Sequence, residues 1–243
     1  MSNPIAEKVL RADRKLCKEV NSLSFSSPIV TVYNPLDYAW PCHRAYIKKY
    51  SAGKKKAIFF GMNPGPWGMA QVGLPFGEIS MIRDWVGIEE KVGQPEKVHP
   101  KRPIDGFACT KSEVSGRRLW GLFAERFGTA EIFFKEHLVL NYCPLSFMAE
   151  SGANITPDKI RASEGSPLLE ICDGHLQRLI KILEPEWCIG VGNFVEKRLK
   201  SALGDMDVKV GRILHPSPAS PAANNNWSGK ATEQLQELGI WDL

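Results

Sequence analysis

The sequence predicts an α/β fold: a three-layer α/β/α sandwich with a central, mostly parallel four-stranded sheet. Three observations carry that expectation. Four short apolar runs, Ala57 to Phe60, His137 to Leu140, Trp187 to Val191 and Val208 to Leu214, are bounded by turn residues and read as buried strands. Stretches of helical period separate them, long enough for right-handed crossovers between parallel neighbours. Three of the runs end on polar side chains at their carboxyl ends, Asn63, Asn141 and His215, where open sheets of this kind bind ligands.

The remaining elements follow in chain order. Asn3 before Pro4 is a helix start, and Ile5, Val9, Leu16, Val20 and Leu23 keep to about one face, which gives a helix from Pro4 to Asn21. Ile29 to Tyr33 is β-branched and reads as an edge strand, and Tyr38 to Tyr50 reads as an aromatic, basic helix. Lys54, Lys55 and Lys56 then lead into the first buried strand and are expected to be its solvated entrance. Ile79 to Val86 has helical spacing, whereas the prolines, glycines and lysines of Gly87 to Phe107 predict a long surface excursion. Ser115 to Phe127 is an amphipathic helix stopped by Gly128, and further helices are expected over Asp173 to Leu183, Phe194 to Leu203 and Trp227 to Leu238.

At 243 residues, with 43% hydrophobic and 24% charged residues, the chain has the composition of one globular domain spanning 1–243, and it shows no internal repeat. A formal charge of +4 permits a polyanionic partner without requiring one. The six cysteines stand singly, with no CxxC pair to suggest zinc or an iron-sulfur cluster, so reduced packed thiols and no metal or other cofactor are expected. No run approaches the roughly 18 apolar residues of a membrane span, and the amino terminus lacks the apolar core of a signal peptide. The expected setting is the cytoplasm or nucleoid of a bacterium, or the nucleus of a eukaryote, for a monomer.

Chemistry concentrates in two segments. Gly61-Met62-Asn63-Pro64-Gly65-Pro66-Trp67-Gly68 follows the first strand and can continue neither ladder nor helix. Such a turn brings backbone N–H groups and Asn63 close to a ligand, and it reads as the floor of an active site. The last strand runs into His215-Pro216-Ser217-Pro218-Ala219-Ser220, a stiff loop of small residues whose titratable side chain is His215.

Taken together, Gly61 to Pro66 and His215 to Pro218 resemble motifs 1 and 2 of the uracil-DNA glycosylase superfamily. Gly61 to Glu78, Asn141 to Leu145 and the HPSP loop resemble its single-strand-selective monofunctional branch, and the likeness extends from about Tyr33 onward. The resemblance implies hydrolysis of the bond between C1′ of deoxyribose and N1 of uracil, in single- or double-stranded DNA, leaving an abasic site. Asn63 would hold the attacking water, and His215 would donate to O2 of the departing base, a kind of stabilisation worth roughly 10²- to 10³-fold in rate. The asparagine stands where many relatives have aspartate, which implies less help from a general base.

The amide of Asn141 matches N3–H and O4 of uracil in one orientation and mismatches cytosine. Phe76 stands where the family stacks a ring on the flipped base, a contact worth about 1 to 3 kcal/mol. Gly65 replaces a bulky aromatic of narrower relatives, which implies room for oxidised uracils such as 5-hydroxymethyluracil, with the Met62 backbone on the same wall. The resemblance assigns DNA contact to Pro216, Ser217, Pro218, Ala219 and Asn224; Ala219 takes the place of an arginine that vertebrate members carry there. Monofunctional chemistry also implies that no pocket lysine attacks the sugar. The histidines left over, His43, His99, His137 and His175, are expected on the surface or in the core. Two other readings stay open: a mismatch-directed uracil/thymine glycosylase, against which the HPSP histidine argues, and a silent binder of single-stranded nucleic acid.

Overall fold

The first helix begins where its sequence places it in the computed structural model, which describes residues 3–242. Asn3 caps α1 (Pro4–Asn21), its Oδ1 accepting from the backbone nitrogens of Ile5 at 3.1 Å and Ala6 at 3.2 Å. The chain continues through β1 (Ile29–Tyr33), α2 (Pro35–Tyr38), α3 (Trp40–Tyr50), β2 (Ala57–Gly61), α4 (Met69–Val72) and α5 (Val114–Phe127). It then forms α6 (Ala130–Glu136), β3 (His137–Asn141), β4 (Ser146–Ala149), β5 (Asn154–Ile155) and α7 (Ala162–Leu183). The last quarter contains β6 (Trp187–Val191), α8 (Asn193–Leu203), β7 (Lys209–Ile213) and α9 (Trp227–Glu237).

The four expected strands make one parallel sheet in the order β3-β2-β6-β7. All five residues of β2 are buried, which is why it reads as an unbroken apolar run: helices cover both faces of a parallel sheet. Gly61 pairs with Asn141 and Val191 with Ile213, so the strand ends come out at one level. The ladder goes on past the strands. Tyr142 N donates to Gly61 O at 2.8 Å and Cys143 N to Met62 O at 2.9 Å, tying the two loops that follow β2 and β3 together.

A second, antiparallel sheet of order β1-β4-β5 was not foreseen. The expected edge strand β1 pairs there with β4 and lies outside the main sheet. α7 starts at Ala162, well before Asp173, and passes through Pro167, whose missing N–H falls in the second turn and costs one backbone bond. Met81–Val86 winds as a short π-helix ended by Gly87. The excursion after it is pinned inward: the Tyr33 hydroxyl accepts from His99 N at 2.8 Å and donates to Arg102 O at 2.7 Å.

Lys55 corrects the expectation of a solvated entrance. It is 1% exposed, and its Nζ donates to Phe134 O at 2.6 Å, with burial pushing its pKa down to about 8. All six cysteines are buried free thiols, and no helix among the described residues is long and apolar enough to cross a membrane.

The four remaining histidines lie in the core. Two of them share a carboxylate: Asp13 of α1 lies 2.7 Å from His43 Nε2 of α3 and 3.3 Å from His175 Nε2 of α7. Burial alone would raise the Asp13 pKa, but the two imidazoles hold it down at about 2. Asp13→Ala leaves two buried ring nitrogens without their acceptor, each worth about 1–3 kcal/mol. Urea unfolding at pH 7 is expected to show that loss as a lower midpoint with an unchanged slope. Because the folded pKa is the lower one, this stabilisation is complete above the ordinary 3.8 and is lost as the pH falls toward about 2.

Candidate active site

Asn63, Asn141 and His215 converge on one cavity of about 300 Å³, together with Met62, Gly65 and Phe76. Asn63 is set by the turn after β2. Its Nδ2 donates to Leu145 O at 3.2 Å, which leaves Oδ1 free to accept from a water molecule. Asn141 closes β3 at the level of Gly61, and its Nδ2 contacts Met69 Sδ at 3.1 Å. Glycine at 61 is a steric requirement: a Cβ there would overlap Asn141 Oδ1 and lie 2.8 Å from the Phe76 ring.

Phe76 is both core and pocket. It is 8% exposed, packs in the main hydrophobic cluster and lines the cavity, with its ring centroid 6.2 Å from that of His215. Its φ of 52° is rare for a residue with a side chain. The carbonyl holds that conformation by accepting from Trp120 Nε1 at 3.0 Å and Glu78 N at 2.7 Å.

His215 lies in the loop after β7, its side chain against Gly192, where an added Cβ would come 3.2 Å from His215 Cβ and 3.4 Å from the ring. Ser217 N donates to its Nδ1 at 3.1 Å. Nδ1 is therefore the acceptor, and in the neutral ring the proton sits on Nε2. Burial pushes the His215 pKa down to about 4, so the imidazole is neutral at physiological pH and has one N–H, on Nε2, to offer a ligand.

The residues assigned to DNA divide into two groups. Pro218, Ala219 and Asn224 are exposed and Ser217 lines the cavity, but Pro216 is buried, which removes its ring from any contact surface. Asn224 is engaged within the loop: its Nδ2 donates to Pro218 O at 2.9 Å, and its Oδ1 accepts from Arg118 Nη2 at 3.4 Å. Arg118 Nη1 also donates to Pro216 O at 2.8 Å, so α5 holds the shape of this loop.

Sequence reasoning missed Glu113, Ser115, Asn154 and Thr156, all of which line the cavity. Asn154 and Thr156 arrive on the unforeseen second sheet or just past it. Glu113 precedes α5, and its carboxyl fills the space that a side chain at Gly65 would take. The room expected beside Gly65 is thus occupied by a polar group. No lysine lines the cavity, and no cluster of metal-binding type occurs among the described residues.

The fold and site together define an open parallel sheet with an amide-and-imidazole pocket at its carboxyl edge. Residues 47–238 match the family model of the uracil DNA glycosylase superfamily. Among curated relatives, the single-strand selective monofunctional uracil-DNA glycosylase of Rattus norvegicus is 46% identical over 98% of this chain and 87% of its own length. That of Bos taurus is 46% identical over 98% of this chain and 89% of its own. The crystal structure of wild-type Pedobacter heparinus SMUG2 shares the fold, with a TM-score of 0.67 at 18% identity over 98% of this chain and 99% of that one. The chain belongs to the uracil-DNA glycosylase superfamily and, within it, to the single-strand selective monofunctional uracil-DNA glycosylases.

Proposed function

We infer that the chain is a base-excision repair enzyme that hydrolyses the N-glycosidic bond of uracil in DNA, releases the free base and leaves an abasic site without cutting the strand. The observation that carries this reading is the meeting of Asn63, Asn141, His215 and Phe76, from four separate segments, around one cavity.

In this reading a flipped uracil stacks on Phe76 and pairs N3–H and O4 with the Asn141 amide. Flipping costs a few kcal/mol, least in a single strand. Asn63 Oδ1 orients a water molecule beneath C1′, aided by the bond that occupies its Nδ2. As the C1′–N1 bond breaks, its electron pair leaves with the base, and charge gathers on O2, where Nε2–H of neutral His215 donates. The water adds its oxygen to C1′ and loses a proton to solvent, and the uracil anion takes up a proton from solvent to leave as the neutral base. No lysine lines the pocket to form a covalent sugar intermediate, consistent with hydrolysis alone.

The exposed tip Pro218–Ala219 meets DNA beside the flipped base, in single strands or duplexes, and the enzyme acts as a monomer. Its substrates extend to uracils with polar groups at C5, such as 5-hydroxymethyluracil. A test places uracil, cytosine or thymine at one position of the same single-stranded oligonucleotide and scores abasic sites by alkaline cleavage. Cleavage is expected at uracil and absent at cytosine, because cytosine presents an acceptor and a donor reversed against the fixed Asn141 amide. Equal cleavage of both bases would remove Asn141 from its role, and no cleavage of any would favour a binding protein over an enzyme.

A further inference from the structure

We propose that Glu113 is a base-recognising residue whose carboxyl group faces the C5 edge of the bound pyrimidine and selects a hydrogen-bonding substituent there over a methyl group. The proposal rests on the uracil reading of the pocket and extends it to a side chain that the motifs do not include.

Glu113 sits in a cradle of glycines. A Cβ at Gly65 or at Gly68 would overlap its carboxyl group, and one at Gly116 would lie 3.0 Å from Oε2. Three backbone positions thus leave room for one acidic group, at the wall of the cavity that Glu113 lines. The group has no evident structural duty. Its Oε2 is buried and without a hydrogen-bond partner among the described residues. The adjacent acid differs: Glu78 accepts from Ser80 Oγ at 2.8 Å, Met81 N at 3.0 Å and Ser112 Oγ at 3.1 Å. A buried polar group left unpaired is destabilising unless a ligand completes it.

The other polar edges of the base are already met by other side chains. His215 takes O2, and Asn141 takes N3–H and O4. Asn63 lies under C1′, and Gly65, two residues further along the same turn, carries the Glu113 carboxyl at its flank. The side of the ring away from O2 is the C5–C6 edge. Uracil and thymine offer no hydrogen-bonding atom at C5, and thymine adds a methyl group against the unpaired acid. A hydroxymethyl group both donates and accepts, so it pairs with the carboxyl in either protonation state. A formyl group only accepts, so it pairs only with the protonated acid. Burial, reinforced by the neighbouring Glu78, raises the Glu113 pKa to about 7. The formyl contact is accordingly present below that pH and fades above it, while the hydroxymethyl contact persists.

The experiment measures single-turnover excision of uracil, 5-hydroxymethyluracil and 5-formyluracil from one single-stranded oligonucleotide between pH 6 and 8. Wild-type protein is compared with Glu113→Gln, which keeps the shape but does not titrate, and with Glu113→Leu. The 5-hydroxymethyluracil-to-uracil rate ratio is expected to fall at least tenfold in Glu113→Leu. The 5-formyluracil-to-uracil ratio is expected to drop as the pH rises through about 7 in the wild type and to lose that drop in Glu113→Gln. A Glu113→Leu ratio within twofold of wild type, or a formyl ratio with the same pH course in wild type and Glu113→Gln, overturns the assignment. Should Glu113→Leu fail to fold, the Glu113→Gln comparison decides alone. These outcomes are ratios to uracil, so they separate from failure of the uracil reading itself, in which the wild type would release no uracil.

Discussion

Asn63→Ala is expected to abolish measurable uracil excision while leaving binding of uracil-containing or abasic DNA largely intact. In the proposed reaction the side chain touches no part of the base and holds water, with Nδ2 committed to Leu145 O and Oδ1 the acceptor that remains. Loss of that orientation costs at least about 10²-fold, since small displacements of a reacting group have effects of that size. Single-turnover rates with Kd measured in parallel separate the two parts of the claim. Turnover near the wild-type rate would show that the water is held elsewhere.

His215→Ala is expected to slow excision by roughly 10²- to 10³-fold, the range for removing one donor to a developing oxyanion. The protonation state supplies a second readout. With the His215 pKa pushed down to about 4, the neutral donor exists on both sides of pH 6.5, so the His215 contribution is constant as the pH rises through that value. It changes only as the pH falls toward about 4, when a proton on Nδ1 expels the Ser217 N–H that fixes the ring. A His215-dependent loss of rate between pH 6 and 7 on the alkaline side would instead identify an imidazolium donor, and a loss under tenfold in the alanine variant would demote the residue.

Much of the frame was legible because burial on both sheet faces leaves a plain mark. β2, β3 and β6 are short apolar runs stopped by polar or glycine residues, and the pocket forms at the stops of β2 and β3. The second sheet left no such mark. β4 has four residues and β5 two, too few to display an alternation, and Asn154 reads as a loop residue until β4 supplies its partner. Gly165 and Pro167 are weak helix formers, and the helix expected from Asp173 in fact starts at Ala162.

The site was legible to the extent that its side chains lie in the two turn segments. Glu113 escaped because a single acid at the edge of a helix ordinarily faces solvent. A signal did exist in Gly65, Gly68 and Gly116, whose missing side chains leave one shared space. Only the folded chain brings position 116 to positions 65 and 68. Lys55 was misread for a related reason: its triplet looks solvated, but a buried carbonyl of Phe134 captures the middle lysine.

The most direct test of the central claim follows free uracil and strand breakage together in one time course on a single-stranded oligonucleotide with one uracil. The expected result is one uracil released per site and an intact strand that breaks only on treatment with alkali. A strand cut without alkali, or a strand cleavable by alkali without release of uracil, would contradict it.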